Sequence, residues 1–126
     1  MKKIINTSKS PTPIGPYNQA ILKDNMLFIS GQIALEPNSM KLNNNSIEDE
    51  TNQVMINLKH ILKEANMDFG NVVKTSIFLS DMDLFKKVNH IYGKYIKEGN
   101  EPARETIAVK TLPMSVNVEI SMIAIL

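Results

Sequence analysis

Cysteine is absent from the 126 residues of this chain. Its absence excludes disulfide bonds, a thiolate nucleophile and any metal site that uses cysteine ligands. Long apolar runs are absent as well: no segment approaches membrane-spanning length, and the N-terminal MKKIIN lacks the apolar core of a signal peptide. The sequence therefore predicts a cytoplasmic protein without a membrane partner.

Clusters of positive charge are scarce. Thirteen lysines and one arginine oppose 13 acidic residues, for a net charge of +1, and no basic block is longer than the pairs Lys2-Lys3 and Lys86-Lys87. Such a chain has little electrostatic attraction for a phosphate backbone. Nucleic acid is therefore disfavoured as a partner.

Metal and phosphate motifs are also missing. The two histidines, His60 and His90, fall on predicted helices without HxxH, HExxH or acidic-ligand spacing, so no metal site is expected. Gly31 and Gly70 are isolated, which leaves no glycine-rich phosphate loop. Neither helix suggests a Ser-His-Asp arrangement.

What is present describes one globular unit. Hydrophobic residues make up 43% and charged residues 21% of the chain, near the averages of globular proteins. A length of 126 residues suits one domain with its own core and is too short for two ordinary ones. We expect a single domain over residues 1–126.

Hydrophobic periodicity predicts eight elements in the order β, β, β, α, β, α, β, β. The predicted strands cover residues 3–6, 18–22, 26–30, 71–79, 104–110 and 116–126. Ser46 and Asp49 form a capping box before a helix over residues 47–66, and Ser80 and Asp83 cap a second helix that Gly99 ends. The fold class is α+β, with two helices on one face of a five- or six-stranded sheet.

Two strands carry informative side-chain patterns. In the strand over residues 71–79, one face is predicted to consist of Val73, Thr75, Ile77 and Leu79. The last strand has two apolar faces: Val118, Ile120 and Met122 on one, and Ile123 and Ile125 on the other. Two helices cannot cover both faces of the sheet, so a second copy of the chain is expected to cover the other one.

Glu119 lies between Val118 and Ile120 in the last strand, where a carboxylate needs a partner or a function to offset its desolvation. Two interpretations fit this position. Glu119 is either solvated at a sheet edge, on the side of Asn117 and Ser121, or it is a functional acid.

Arg104, the only arginine, opens a predicted strand and shares a face with Thr106 through the two-residue period. It either forms a surface ion pair with Glu101 or Glu105, worth about 0–1 kcal/mol, or supplies a planar fork for a small carboxylate or phosphate. Gly31, near the end of the third strand, is similarly either a bulge or a point where a ligand or another backbone approaches closely.

Six groups of residues occur in the order and spacing of one known family. They are Ile14-Gly15-Pro16-Tyr17, Ser30-Gly31-Gln32, Val73-Lys74-Thr75 with Leu79-Ser80-Asp81, Val88-Asn89 with Tyr92, Pro102-Ala103-Arg104, and Val118-Glu119-Ile120. Over nearly its whole length the chain resembles the Rid/YjgF family of reactive intermediate deaminases, also called the L-PSP endoribonuclease family, and most closely its RidA branch.

The resemblance implies a chorismate-mutase-like α+β fold assembled as a homotrimer, with active sites in clefts between subunits. It implies hydrolysis of 2-imino acids and their enamine tautomers, such as 2-iminobutanoate and 2-iminopropanoate, to 2-oxo acids and ammonia. Pyridoxal-phosphate enzymes such as serine/threonine dehydratase supply these substrates. No metal or cofactor is implied.

The resemblance also implies roles for particular residues. Arg104 would hold the substrate carboxylate in a bidentate pair, and Glu119 would orient or activate the attacking water. The cleft would be lined by Tyr17, Ser30, Gly31 and Asn89. Thr106 stands where this branch often has cysteine and would act through its backbone N–H, and Ser121 stands where a second glutamate is frequent.

Two other functions remain open. One is an RNA-cleaving translation inhibitor, which the near-neutral charge and the absence of a basic, aromatic-rich face disfavour. The other is a non-catalytic regulatory trimer that binds 2-oxo acids through Arg104. Replacing Glu119 by glutamine separates a sensor from a deaminase, because only the deaminase would lose turnover while still binding 2-oxobutanoate.

Overall fold

A computed structural model describes all residues 1–126 and confirms the predicted order of elements. The helices are α1 (Ile47–Glu64) and α2 (Phe85–Gly93). The strands are β1 (Lys3–Ile5), β2 (Ala20–Lys23), β3 (Met26–Gln32), β4 (Val72–Leu79), β5 (Ala103–Ala108) and β6 (Val118–Ile125). Short 3₁₀ turns lie at Phe69–Asn71, Met82–Leu84 and Pro113–Ser115.

All six strands form one mixed sheet in the order β1-β2-β3-β6-β4-β5. Every neighbouring pair is antiparallel except β4 and β5, which run parallel. The last strand in sequence is therefore inserted at the centre of the sheet. The register places Thr75 beside Arg104 and Phe78 beside Glu119.

The core lies between the sheet and the two helices, which pack against each other on one face. It is one cluster of 21 buried apolar residues drawn from both helices and five of the six strands. Alternate residues of β6 supply Val118, Ile120, Met122 and Ala124 to it. The remaining strand, β5, is a sheet edge and lies outside this cluster.

Local hydrogen bonds explain where the helices begin. The Ser46 half of the predicted capping box is present, with its hydroxyl accepting from the Asp49 N–H at 3.0 Å. The predicted cap of α2 is wrong, because Asp81 accepts from the Asp83 N–H and starts a 3₁₀ turn that precedes the helix. Ser80 instead bonds Asn117. The helix ends at Gly93 rather than Gly99, which has a φ of +88° in the following loop.

A register shift changes the predicted face of β4. The shift falls between Val72 and Lys74, opposite β6, and turns Val72 into the core. Val73 is left 44% exposed, so its predicted place beside Thr75, Ile77 and Leu79 is wrong. The bulge inserts one residue into the alternation, which a two-residue period cannot anticipate.

The opposite face of the sheet, called the outer face below, has no helix over it. Phe28 is 42% exposed there. It is paired with Ile21 on one side and Ile123 on the other, and Ile21 is paired with Ile4, so the four apolar residues form a row across the sheet. The prediction of an apolar face left uncovered within one chain is confirmed. Neither helix is both long and apolar enough to cross a bilayer.

Candidate active site

Arg104 lies on the helix side of the sheet. Its register partner Thr75 is fully buried, and its guanidinium reaches the surface of α2. Arg104 Nη1 donates to Asn89 Oδ1 at 2.7 Å, and Cζ lies 5.1 Å and 5.7 Å from the ring centroids of Tyr92 and Phe85. Cation–π attraction and one hydrogen bond therefore hold the guanidinium on three side chains of one helix.

Tyr92 is itself fixed. Its hydroxyl donates to Thr75 Oγ1 at 3.0 Å inside the core, and burial raises the pKa of the phenol. Phe85, Asn89 and Tyr92 follow each other at spacings of four and three, so they share one face of α2. The rings below Arg104 thus stand on a rigid element rather than on a loop.

Arg104 has no carboxylate within 4.0 Å, so the surface ion pair is wrong. Glu105 points to the outer face and pairs with Lys74 at 2.6 Å, and Glu101 accepts from the Gly99 N–H. Asn89 is the only hydrogen-bond partner of the guanidinium. The guanidinium lines a cavity of about 410 Å³. Its remaining N–H donors have no partner in the protein and are available to an anion in this cavity.

Thr106 follows Arg104 on the same face of β5 and pairs with Ile77. Its hydroxyl oxygen is buried without a hydrogen-bond partner. Leaving a buried hydroxyl unpaired costs about 1–3 kcal/mol. Thr106 therefore has an unpaired hydroxyl that is shielded from solvent, and its side chain does not line the cavity at Arg104.

Glu119 occupies the middle of the sheet, because β6 lies between β3 and β4. The solvated edge position is therefore wrong. The side chain projects from the outer face, where it is half-buried, and this burial raises the pKa of the carboxyl group. The acid thus holds its proton at a higher pH than an exposed glutamate does.

Gly31 provides the space that Glu119 occupies. A Cβ atom at Gly31 would lie 2.8 Å from Glu119 Cδ, a distance that side chains do not tolerate. The pairing of β3 with β6 also shifts register between Ile29 and Gln32. The bulge interpretation of Gly31 is therefore confirmed, and the close neighbour that the glycine admits is the Glu119 side chain.

Glu119 opens into a cavity of about 370 Å³ on the outer face. Tyr17, Ser30 and Gly31 line it, together with an apolar wall that includes Ile14 and Met114. Ser30 Oγ donates to the Asn18 carbonyl at 2.6 Å, and the Tyr17 hydroxyl accepts from the Ile14 N–H at 3.2 Å. Ser121, also on the outer face of β6, lines a neighbouring cavity.

The sequence-predicted site residues therefore form two clusters. The first comprises Arg104, Asn89 and Thr106 on the helix side, and the second comprises Tyr17, Ser30, Gly31 and Glu119 on the outer face. The two clusters do not meet within one chain. No group of three or more histidine, cysteine, aspartate or glutamate side chains is placed to hold a metal ion.

Sequence reasoning missed part of the first cluster. The sequence does not single out Phe85, and Tyr92 enters only as one of the residues that carry the family resemblance. The only available signal was the shared spacing of Phe85, Asn89 and Tyr92, which an ordinary core-facing stripe also produces. Their contact with Arg104 depends on the pairing of β5 with β4, which lies in the tertiary fold.

The chain is similar in sequence and in fold to known proteins. Residues 7–126 match the family model described as Endoribonuclease L-PSP. A RutC family protein of Synechocystis is 47% identical over 98% of this chain and 96% of its own. The human 2-iminobutanoate/2-iminopropanoate deaminase is 43% identical over 99% and 90%. A Rid-family crystal structure from Yersinia pestis superimposes with a TM-score of 0.96, at 40% identity and full coverage of both chains.

Proposed function

Because the chain belongs to the Rid/YjgF family, the family described as Endoribonuclease L-PSP, we propose that it hydrolyses 2-imino acids and their enamine tautomers. The substrates we propose are 2-iminobutanoate and 2-iminopropanoate, and the products are 2-oxo acids and ammonia. The human relative named for this reaction is 43% identical over 99% of this chain, which supports the assignment.

The active form we propose is a homotrimer with a chorismate-mutase-like arrangement, in which each site takes Arg104 from one chain and Glu119 from its neighbour. Three features support this arrangement. The two residues lie on opposite faces of the sheet, the outer face is apolar and uncovered, and β5 is an edge strand with one side unpaired. An apolar face left in water favours association with another copy.

In this site the substrate carboxylate binds the free donors of Arg104. A water molecule held by Glu119 adds to the imine carbon, Glu119 takes a proton from the water, and the C=N electron pair moves to nitrogen. Glu119 passes that proton to the nitrogen to give a neutral carbinolamine. The hydroxyl proton of the carbinolamine then moves through Glu119 to the amine, the C–N bond breaks, the oxygen lone pair forms the C=O bond, and ammonia leaves. The imine carbon is already electrophilic, so positioning and proton transfer are what the protein must supply.

The observation that carries this proposal is the state of Arg104. A guanidinium held by Asn89 and two aromatic rings, with no carboxylate partner, is preorganised for an anionic ligand. Each charge-assisted hydrogen bond from it is worth about 1.5–3 kcal/mol. A lysine supplies the same charge but no planar fork.

The test replaces Arg104 by alanine and by lysine in an assay coupled to a threonine dehydratase, in which ammonia release is followed. Losing two charged hydrogen bonds should lower kcat/KM by about 10²- to 10⁴-fold in Arg104→Ala, and Arg104→Lys should recover little of it. Lys110→Ala, an exposed change just beyond the same strand, is the matched control. Unchanged acceleration by Arg104→Ala would end the assignment.

Two further measurements separate the alternatives. Glu119→Gln should abolish turnover while 2-oxobutanoate still binds; a regulatory sensor would show no difference between the two forms. The purified protein should not cleave single-stranded RNA at a rate that depends on Arg104. RNA cleavage that Arg104→Ala removes would favour the endoribonuclease.

A further inference from the structure

Glu50 is a buried acid that the proposed chemistry leaves unused. It lies in the first turn of α1 and is 0% exposed. No lysine, arginine or histidine side chain lies within 4.0 Å of it. A buried carboxylate without a cation is costly unless hydrogen bonds satisfy it.

The partners of Glu50 all come from one short stretch. Its Oε2 accepts from the backbone N–H groups of Asn117 at 2.7 Å and Val118 at 3.2 Å, and its Oε1 accepts from Asn117 Nδ2 at 3.0 Å. These two residues directly precede Glu119 in the chain. Both oxygens of Glu50 therefore serve to hold the start of β6.

Asn117 is held from a second direction. Its carbonyl accepts from the Ser80 N–H, and its Oδ1 from the Ser80 hydroxyl, each at 3.0 Å. Ser80 directly follows β4. Glu50 thus joins the beginning of α1 to the point where β4 ends and β6 begins.

We propose that Glu50 is a positioning residue that fixes the backbone of Asn117 and Val118 and thereby sets the place of the Glu119 carboxylate. This inference rests on the proposed function of Glu119. The Glu119 carboxyl group has little room to move, because it occupies the space that the missing side chain of Gly31 leaves open. A shift of β6 by a fraction of an ångström changes both the aim and the solvation of the acid.

The test compares two substitutions at Glu50. Glu50→Gln keeps the shape but replaces one acceptor oxygen with a donor that faces other donors. Glu50→Asp keeps the charge, but its side chain is one methylene shorter, so the carboxylate lies farther from Asn117 and Val118. Because only Glu50→Gln removes charge, a shared effect of both variants reports position rather than long-range electrostatics. Ile61→Ala, a core truncation in the same helix, controls for lost stability.

Two readouts are needed, and both are measured below the melting temperature of each variant. We expect both Glu50 variants to lower kcat about 10-fold with KM within about 2-fold, because Arg104 and its ligand contacts are untouched. We also expect the carboxyl titration of Glu119, followed by ¹³C NMR, to move down toward that of an ordinary glutamate as its solvation increases. Tyr17 is the only other titratable residue in this cavity.

The outcomes separate the two proposals. Ile61→Ala should leave kcat and the Glu119 titration unchanged at a comparable loss of stability. Equal effects in Ile61→Ala, or an unmoved Glu119 titration in both Glu50 variants, would overturn the positioning role. If the wild-type chain hydrolyses no imine, the proposed function fails and the NMR titration alone still decides the role of Glu50. If neither Glu50 variant folds, Ser80→Ala should move the titration the same way by a smaller amount, and an unmoved titration there would overturn it too.

Discussion

At the scale of single residues, the contact between Gly31 and Glu119 controls the candidate acid. We predict that Gly31→Ala lowers kcat about 10- to 100-fold, because the added methyl group would lie 2.8 Å from Glu119 Cδ and must displace the carboxylate. The fold should survive, since the obstructing atoms belong to a side chain rather than to backbone. Steady-state kinetics and the melting temperature together measure the two effects.

A double-mutant cycle supplies the control for Gly31→Ala. Glu119→Ala removes Cγ, Cδ and Oε2, the three atoms that the new methyl group would meet. Gly31→Ala should therefore lower the melting temperature less in the Glu119→Ala background than in the wild type. Additive losses would show that Gly31 acts by some route other than Glu119.

The raised pKa of Glu119 has a consequence for stability. Burial disfavours the charged form, so the folded chain binds this proton more tightly than the unfolded chain does. The favourable contribution of the protonated acid is complete below the ordinary glutamate pKa of about 4.3. It is lost as the pH rises through the higher pKa of the folded state.

We therefore predict that Glu119→Gln is more stable than the wild type at pH values above the pKa of the folded acid, where the wild type holds a charge at a half-buried position. The advantage should shrink as the pH falls toward 4, because the wild-type acid becomes neutral as well. Urea unfolding at a series of pH values measures it. A stability difference that does not vary with pH would show that glutamine acts through packing instead.

At the scale of elements, the first turn of α1 places both its cap and Glu50. We predict that Ser46→Ala lowers the free energy of unfolding by about 1 kcal/mol, because the Asp49 N–H loses its acceptor. Ser8 is exposed and its side chain forms no hydrogen bond. Ser8→Ala should therefore change the free energy of unfolding by less than about 0.5 kcal/mol. Equal values for both serines in chemical denaturation would contradict the cap.

Elements were predictable where local signals decide them. The serine cap of α1 and the alternation of β6 both follow from neighbouring residues, and both match the structure. The end of α2 and the bulge at Val73 do not, because a loop glycine resembles a helix stop and a bulge leaves no mark in hydrophobic alternation. The central place of β6 comes from pairing with β3 and β4, both distant in sequence.

The candidate site divides in the same way. Arg104 and Glu119 stand out in the sequence as a lone arginine and as an acid in an apolar strand. Their separation onto opposite faces could not be predicted, because it depends on the register of Arg104 with Thr75 and of Glu119 with Phe78. Strand parity relates faces only within one strand, and these two residues lie on different strands.

At the scale of the whole molecule, the two clusters do not meet within one chain, so the proposed site requires a second chain. Each cluster holds half of the proposed chemistry, the anion fork at Arg104 and the acid at Glu119, in a cavity of its own. A cyclic assembly lets every chain give its helix-side cluster to one neighbour and its outer-face cluster to the other. Such a molecule has complete sites only between subunits.

This arrangement predicts complementation between two inactive variants. Equal amounts of Arg104→Ala and Glu119→Gln chains, mixed so that subunits exchange, should recover about one quarter of wild-type activity, because each interface independently draws an intact arginine and an intact acid half of the time. Native mass spectrometry verifies the exchange and the trimer. Mixing Arg104→Ala with a chain that carries both substitutions should recover nothing. Verified mixed trimers without activity would place both residues' roles within one chain, where their opposite faces forbid a shared substrate.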